Sequence, residues 1–565
     1  MKRGQLLLAL FAALAVGGVA WFAGSGKKDD DQGSAKVDSG APAPKNAIKV
    51  TFAYSPEKEK LLVPLIKAFN RKGEEVDGRQ VVVDGINASS GDAEARIAKG
   101  TFKPVAWSPA SSLWGRLLNF EADQPLTAEE APSIVRSPLV IAMWEPMARA
   151  LGYPKKKLGF ADILRLATSD KGWAEFGRPQ FGDFKLVHTS PDFSTSGLSA
   201  VVAEYYAATG KKEGLTEKDI AGGAARKRVR DIERAIVHYG DTTLFIAEQL
   251  KKEGMGYASA VAMEEVTLLD FNGTRGSRDK LVAIYPEEGT FDSDSPFFTL
   301  KAPWVSPEQA AGAKAFQEYL ADEITPQVAA KSGFRPADRD TPPVAPITAA
   351  NGADPKQPER VLALPEPRVL AAIKAAWRRD RKPANILLVV DTSGSMNTEG
   401  RLKRAKEGLA VFLKGVEPQD SVGLTIFSDK IQPLIAPAPL TKSRNELQTR
   451  VRNLIADGGT AFYDATVEAF DAVREQKETE RINAVVLLTD GEDTDSQRTV
   501  EEVVAHIKGQ GDSANRVRVF TIAYSSGATA ARENLEQIAA ASGGLAYEGK
   551  TENIESVYRS ISSFF

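Results

Sequence analysis

The sequence contains no cysteine and only three histidines, His188, His238 and His506, in 565 residues. The missing thiols exclude disulfide bonds, cysteine nucleophiles and cysteine-ligated zinc. Because the histidines lie far apart along the chain, neither a histidine-based metal site nor a histidine-dependent triad is expected. The net charge of −3 at pH 7 shows no basic surplus, so we expect no nucleic-acid partner.

Three further signatures are absent: an internal repeat, a phosphate-binding Gly-Lys loop and the dinucleotide-binding glycine fingerprint. The length instead indicates more than one domain. An apolar content of 42% and a charged content of 26% are ordinary for globular domains.

Residues 4–26 carry no charge and follow Lys2 and Arg3. A run of about 20 apolar residues is long enough to cross a bilayer. The segment is either a cleaved export signal or an uncleaved anchor, and we favour the anchor because Trp21 and Phe22 extend the apolar run. The preceding basic residues predict a cell-membrane protein with a single N-terminal span and an extracytoplasmic bulk, or a secreted one if the segment is cleaved. Residues 27–46 are a predicted flexible linker.

Polar side chains follow an apolar strand in the C-terminal part of the chain. Residues 386–390 are all Ile, Leu or Val, which predicts a strand buried on both faces. Asp391, Ser393 and Ser395 come directly after it, and a helical pattern follows. Ligands of open parallel sheets bind at the carboxyl ends of the strands, so these three side chains occupy a candidate site.

Two later oxygen donors have similar settings. Thr460 ends a Gly-rich loop between predicted helices 445–455 and 461–473, and Asp490 follows the apolar strand 484–489. Carboxylate and hydroxyl oxygens suit a hard divalent cation, which takes about six oxygen ligands. The sequence therefore predicts a metal site built from three separate segments.

This pattern resembles the metal-ion-dependent adhesion site of von Willebrand factor A domains, over about residues 383–565. The resemblance implies a doubly wound, Rossmann-like α/β fold. It also implies that Ser393, Ser395 and Thr460 bind the metal through their hydroxyls, while Asp391 and Asp490 act largely through bound water. The implied cofactor is Mg²⁺, or another divalent cation such as Mn²⁺ or Ca²⁺. The implied partner is a protein that presents an Asp or Glu to the ion.

The Asp-x-Ser-x-Ser turn has two alternative roles that stay open. The turn could use its Ser and Asp side chains only to cap the following helix. Asp391 could be the nucleophile of a phosphatase, although such enzymes generally carry a second carboxylate where Ser393 stands. No paired general acid and base accompanies the five residues, so we expect that the protein is not an enzyme.

Residues 47–336 alternate predicted strands and helices, which indicates an α/β domain. Several loops between them are rich in hydroxyl groups, and two of these loops precede predicted helices. Hydroxyls beside a helix N-terminus can bind an anion or a polar neutral group. The candidate ligand-binding residues are Ser55, Ser89, Ser90, Thr195 and Ser196.

This region resembles bacterial extracellular solute-binding proteins with the two-lobed periplasmic fold, of the molybdate- and sulfate-binding kind. The resemblance implies two lobes around a cleft lined by the five hydroxyl residues, with a small solute or oxyanion inside. Trp107-Ser108-Pro109 departs from the family pattern, which leaves the ligand's identity open. The hydroxyls could instead only cap helices in a domain that no longer binds a solute. The motifs that carry the resemblance are Ser89-Ser90-Gly91, Ser194-Thr195-Ser196-Gly197-Leu198, Ile284-Tyr285-Pro286-Glu287-Glu288-Gly289-Thr290 and Gly333-Phe334-Arg335-Pro336.

Residues 337–382 are a predicted linker that ends in a helix able to brace the two domains against each other. We expect an extracytoplasmic, membrane-tethered binding or adhesion protein whose C-terminal domain binds an acidic partner group through the cation. The alternative is a solute-binding or sensing component of a transport system, in which the C-terminal domain is a docking module.

Overall fold

Three β-sheets flanked by helices make up the part of the chain that the structure describes. The structure is a computed structural model. It describes residues 35–36, 44–275, 279–490, 493–510, 515–524, 529–549 and 554–565.

The first sheet has parallel strands at its centre. Ile48–Tyr54 pairs in parallel with Arg79–Asn87 on one side and with Ala106–Ser108 on the other. These strands are predominantly apolar, and Val50 and Phe52 are fully buried beneath the helices. The order across the sheet is Ala35–Lys36, Arg79–Asn87, Ile48–Tyr54, Ala106–Ser108 and Phe298–Thr299, with Glu75–Val76 paired to Arg79–Asn87.

The second sheet is organised around Ser137–Trp144, whose eight residues are all buried. This strand pairs antiparallel with Ala260–Glu264, Leu281–Ile284 and Asp292–Ser293. Leu186–His188 adds a parallel strand beside Ala260–Glu264. The two sheets with their helices correspond to the two expected lobes. The helices of these lobes are Glu59–Lys72, Ser90–Ala98, Leu113–Glu121, Glu145–Ala150, Phe160–Ala167, Thr195–Thr209, Glu217–Ala221, Gly223–Glu233, Thr243–Glu253, Glu265–Arg275, Pro307–Glu323 and Pro326–Lys331.

The third sheet is the expected doubly wound one. Its strand order is Ile431–Pro439, Ser421–Phe427, Ala384–Asp391, Ile482–Thr489, Val517–Ala523 and Ala546–Glu548. All neighbours are parallel except the first pair. Every residue of the central strands Ala384–Asp391 and Ile482–Thr489 is buried, which confirms the two-sided burial expected from their apolar runs. The flanking helices are Arg401–Gly415, Leu440–Arg452, Phe462–Glu475, Val500–Lys508, Thr529–Ser542 and Ile554–Ser562.

The helix Pro367–Asp380, which we call the bracing helix, contacts both halves of the chain. Its Trp377 indole donates a hydrogen bond to Glu233 of the second lobe, at 3.1 Å from Nε1 to Oε2. Its Arg378 carbonyl accepts one from the Gln419 side chain, before the third sheet's strand Ser421–Phe427, at 2.7 Å. Just past its end, Arg381 forms a buried ion pair with Asp420, with 2.6 Å between Nη2 and Oδ2. The helix thus contacts elements of both halves of the chain, and its bracing role stays a prediction.

The predicted membrane span, residues 4–26, lies outside the described residues. Among the residues that are described, no helix combines the length and apolar character that a bilayer crossing requires. The longest of these, Pro307–Glu323, has 17 residues and carries several carboxylates, against the roughly 20 apolar residues of a typical span. This finding contradicts the predicted cell-membrane location with a single N-terminal span.

Candidate metal site and solute cleft

Two adjacent parallel strands bring Asp391 and Asp490 to the same edge of the third sheet. Ala384–Asp391 and Ile482–Thr489 are in register, with Val390 opposite Leu488. Asp391 ends the first strand, and Asp490 follows the second. The carboxyl ends of parallel strands meet at one edge, so both carboxylates lie at the site expected for ligands of this fold.

A continuous chain of hydrogen bonds links four of the five predicted metal-site residues. The Ser393 amide donates to Asp391 Oδ1 at 2.7 Å. The hydroxyls of Ser393 and Ser395 are 3.0 Å apart, and Ser395 donates to Asp490 Oδ1 at 2.7 Å. Asp391, Ser393, Ser395 and Asp490 therefore converge as the sequence predicted.

Thr460 lies on a loop that is fastened to the same turn through the backbone. The Gly394 amide donates to the Gly458 carbonyl at 3.0 Å, and the Asp457 amide donates to the Thr392 carbonyl at 2.7 Å. The Thr460 hydroxyl makes no hydrogen bond to the other four predicted side chains, all of which are described. The loop therefore lies beside the site, but the Thr460 side chain is not part of the hydrogen-bonded chain that the other four residues form.

The loop around Thr460 has a support that the sequence did not suggest. The Thr460 amide donates to Thr494 Oγ1 at 3.0 Å and to Asp495 Oδ2 at 2.9 Å. The neighbouring Gly459 has no room for a side chain, because an added Cβ would lie 1.8 Å from Asp495 Oδ2. Asp495 and Thr494 thus fix the backbone that presents Thr460.

Asp391 is fully buried, and burial raises its pKa to about 6. Hydrogen bonds from Ser393 and from the Thr489 hydroxyl, at 2.6 Å from Oδ2, lower the pKa and offset part of this effect. The nearby charge of Asp490 adds to the rise. The carboxylate is thus held in one orientation by donors on both oxygens, in a place where extra positive charge would favour its ionised form.

Arg401 is a site residue that the sequence analysis missed. Its Nη1 lies 2.8 Å from Asp490 Oδ2, and its side chain is only 17% exposed. Arg401 is the first residue of the helix Arg401–Gly415, where the helix dipole disfavours a cation. A basic residue at that position was the available signal that a carboxylate lies close by.

The donor set fits a hard divalent cation. Adjacent hydroxyl oxygens and two nearby carboxylates are the ligand types that Mg²⁺ and related ions prefer. In the described part of the chain, no group of three or more His, Cys, Asp or Glu residues is arranged to hold a metal ion. This site has only two carboxylates, and its other donors are hydroxyls, so the absence of a group of three such residues does not test it.

Four of the five predicted cleft residues line one small cavity between the lobes. The cavity has a volume of about 20 Å³, which is roughly the room that one water molecule needs. Ser55, Ser89, Ser90 and Thr195 lie in its wall. Ser196 does not, because its hydroxyl is turned to Thr189 Oγ1 at 2.8 Å.

The departure at Trp107-Ser108-Pro109 has a structural consequence next to the cleft. Trp107 is fully buried and packs against Phe298, with ring centroids 6.1 Å apart. The Lys58 ammonium donates to the Ser108 carbonyl, the Ser108 hydroxyl and the Pro109 carbonyl at 2.8–2.9 Å. This segment therefore holds a buried lysine in the first lobe.

Comparisons with known proteins agree with this division of the chain. The family described as "von Willebrand factor type A domain" matches residues 385–559, and the family described as "Bacterial extracellular solute-binding protein" matches residues 50–335. The limits that we predicted, 47–336 and 383–565, stay predictions.

The curated relatives match only part of the chain. Calcium-activated chloride channel regulator 3A-1 of Mus musculus is 31% identical over 193 residues, which are 34% of this chain and 19% of that protein. Uncharacterized protein sll0103 of Synechocystis sp. is 28% identical over 168 residues, 28% of this chain and 39% of that protein. The chain spans less than a fifth of the length of the first of these relatives.

Two solved structures are similar to separate parts of the fold. A periplasmic thiamin binding protein is 12% identical with a TM-score of 0.42, and the match covers 60% of this chain and 98% of that one. A von Willebrand factor type A protein from Catenulispora acidiphila is 19% identical with a TM-score of 0.27, covering 32% of this chain and 42% of that one.

Proposed function

The chain belongs to the bacterial extracellular solute-binding protein family and carries a von Willebrand factor type A domain, and from this premise we propose that it is a protein-binding molecule. Its A domain binds an Asp or Glu side chain of a partner protein through a divalent cation. The observation that carries the proposal is the hydrogen-bonded chain from Asp391 through Ser393 and Ser395 to Asp490.

The proposed ion is Mg²⁺, with Mn²⁺ or Ca²⁺ as alternatives. Bound there, it would supply a Lewis-acidic point that accepts one more oxygen ligand from outside. As the resemblance implies, the Ser393, Ser395 and Thr460 hydroxyls would hold it directly, and Asp391 and Asp490 would hold it through water.

The charge balance of the site favours an acidic partner. Asp391 and Asp490 together balance a divalent ion, and the guanidinium of Arg401 adds a further positive charge beside Asp490. Glu399 also lies 3.7 Å from this guanidinium, but its side chain is 73% exposed and its charge is screened by solvent, so the buried part of the loaded site carries a net positive charge. A carboxylate is the side chain that such a site attracts most strongly.

Binding without catalysis is the favoured function of this site. A phosphatase needs a carboxylate oxygen free to attack, but Asp391 Oδ1 accepts from the Ser393 amide and Oδ2 from the Thr489 hydroxyl. The residue two positions on is Ser393, which cannot act as the carboxylic acid of such a mechanism. We therefore assign Asp391 an orienting role.

A second candidate function is solute binding or sensing, with the A domain as a docking module. It is favoured by one observation, the convergence of Ser55, Ser89, Ser90 and Thr195 on one cavity between the lobes. The two functions are compatible, because the cavity and the metal site use different residues.

Calorimetric titration of the full-length protein with MgCl₂ tests the first proposal. We expect one site per chain. We expect Ser393→Ala combined with Ser395→Ala to weaken Mg²⁺ binding more than about 100-fold, because changing residues that only support the ligands of a metal already costs about 10–100-fold. Thr449→Ala is the matched control, because that hydroxyl bonds only the backbone of its own helix and one side chain there. Equal Mg²⁺ affinity in the double variant and the parent would refute the site.

Partner binding is tested with immobilised peptides that carry a single Asp, Glu, Asn or Gln in an otherwise identical sequence. We expect capture of the full-length protein by the acidic peptides in Mg²⁺, and loss of capture on chelation. Capture that is equal for acidic and amide peptides, or unchanged by the chelator, would contradict a metal-mediated carboxylate contact.

A further inference from the structure

The cavity between the lobes contains more carboxylates than its predicted hydroxyl residues suggest. Glu57, Asp241 and Glu264 lie in its wall together with the Ser and Thr residues. None of the described residues that line it is a Lys, Arg or His. A wall of this composition attracts positive charge.

Glu264 is the most telling member of this wall. It ends the buried strand Ala260–Glu264 and is only 4% exposed. In the described part of the chain, its carboxylate accepts no hydrogen bond from another residue, and its own backbone amide is its hydrogen-bond donor. A buried carboxylate without a partner is costly, so this group indicates a missing ligand and not a helix cap.

The ammonium group of Lys58, in the first lobe, already has hydrogen-bond partners outside the cavity. Lys58 directs its three ammonium hydrogens to Ser108 and Pro109, behind the cavity wall. Burial lowers the Lys58 pKa to about 8, although the nearby Glu57 and Glu264 charges act against this. Lys58 therefore weakens the negative field of the cavity but does not form an ion pair across it.

Glu57 and Glu264 come from different lobes and interact within the cavity. Glu57 lies in the turn Pro56–Lys58 of the first lobe, where it accepts the Ser55 hydroxyl. Burial raises the pKa of Glu264, and the charge of Glu57 raises it further. A cation between these two groups would relieve their repulsion and draw the lobes together.

The remaining carboxylate is placed at a helix start. Asp241 precedes the helix Thr243–Glu253 and accepts the Thr242 hydroxyl at 3.3 Å. Positive potential at helix N-termini is the usual reason to expect an anion in such a cleft. Here the protein's own carboxylates supply the negative charge, so an incoming oxyanion would meet repulsion.

We propose that the interlobe cavity, which has room for a group the size of one water molecule, binds the ammonium head of an organic solute between Glu57 and Glu264, with Asp241 beside it. This inference rests on the proposal that the cleft binds a solute, and it narrows that solute to a cation instead of an oxyanion. It is independent of the metal site, because none of the three carboxylates belongs to that site.

The test uses the full-length protein in a chelating buffer, titrated in a calorimeter with methylammonium chloride, sodium chloride or sodium sulfate at matched ionic strength. We expect saturable, millimolar binding of methylammonium with one site per chain, and none for sodium or sulfate. Binding of sulfate in place of methylammonium, binding of sodium as strong as that of methylammonium, or saturable binding of none of the three, would overturn the inference.

Two variants locate the site. Glu264→Gln should weaken methylammonium binding at least 10-fold, and Glu57→Gln serves as a second variant should Glu264→Gln fail to fold. Glu248→Gln is the matched control, because it removes the same charge from the exposed side of the helix Thr243–Glu253. Unchanged affinity in the folded cleft variant would contradict the proposal. Intact Mg²⁺ binding by the same variants, measured after the chelator has been removed, would show that the metal-site proposal stands apart.

Discussion

The metal site and the interlobe cavity both place carboxylates beside hydroxyls, but their carboxylates are compensated differently. At the metal site, Asp391 accepts hydrogen bonds on both oxygens, and Asp490 is paired with Ser395 and Arg401. In the cavity, Glu264 has no partner on another described residue. The first arrangement is a finished set of oriented oxygens, whereas the second is incomplete without a ligand.

A binding site can thus be prepared in two ways, by orienting its donor atoms or by leaving a buried charge without a partner. Oriented donors favour an ion of defined coordination and require little rearrangement when it arrives. Uncompensated buried charge favours a ligand of opposite sign that fits the space, and it leaves the empty state costly.

Glu94, on the helix Ser90–Ala98 behind the cleft wall, is another carboxylate whose charge is not compensated. It is fully buried, and neither of its oxygens has a hydrogen-bond partner in the described structure. Burial raises its pKa to about 7, opposed by the charges of Lys374 and Lys99 and assisted by those of Glu121 and Asp192. The pKa of Glu94 is higher in the folded protein than in the unfolded chain, so proton binding to Glu94 stabilises the fold. This contribution is complete below about pH 4.5 and is lost as the pH rises through about 7.

We therefore expect the parent protein to lose roughly 3 kcal/mol of unfolding free energy from this group between about pH 4.5 and 7. Glu94→Gln should remove that contribution, which urea unfolding at a series of pH values measures. Asp123→Asn, at a surface loop of the same lobe, is the control. A pH dependence that is identical in Glu94→Gln and the parent would show that Glu94 is not the uncompensated group we describe.

Arg401→Gln changes the metal site, where the carboxylates have hydrogen-bond and ion-pair partners. Removing the guanidinium takes away a positive charge beside Asp490, so Mg²⁺ should bind about fivefold more tightly, in keeping with roughly 1 kcal/mol for a partly exposed ion pair. Lys403→Gln removes the same charge from an exposed position of the same helix and should change little. Weaker Mg²⁺ binding in Arg401→Gln would mean that Arg401 holds the site's shape and does not compete with the ion.

Ser196→Ala is expected to have the smallest effect. Its hydroxyl lies 2.8 Å from Thr189 Oγ1 and 3.3 Å from Ser194 Oγ and does not line the cavity, so the loss should be no more than about 1 kcal/mol of stability with unchanged methylammonium affinity. Thermal unfolding and calorimetry measure the two quantities. A large fall in methylammonium affinity would mean that Ser196 contacts the ligand, as the sequence predicted.

Local patterns predicted much of this architecture. The apolar runs before Asp391 and Asp490 identified two buried parallel strands, and the alternation of strands and helices identified both α/β regions. One helix was misplaced: residues 445–455 were predicted, but the helix is Leu440–Arg452. Pro439 is the N-cap, the buried Leu440 is the first helical residue and Asn453 is the C-cap, so both ends of the helix lie earlier in the chain than predicted.

The sites were predictable only where one segment supplied several donors. Asp391, Ser393 and Ser395 share a turn, so their spacing was informative. Glu57 and Glu264 meet across two lobes and are separated by about 200 residues, so no local pattern could pair them. Arg401 and Asp490 likewise become neighbours only through the packing of a helix on the sheet.

The most direct test of the account is an anomalous diffraction map of the full-length protein crystallised with Mn²⁺. We predict a single strong peak about 2.0–2.3 Å from the hydroxyl oxygens of Ser393 and Ser395, and its loss when both serines are replaced by alanine. The absence of a peak there, or a peak between Glu57 and Glu264 instead, would contradict the assignment of the metal to the strand edge.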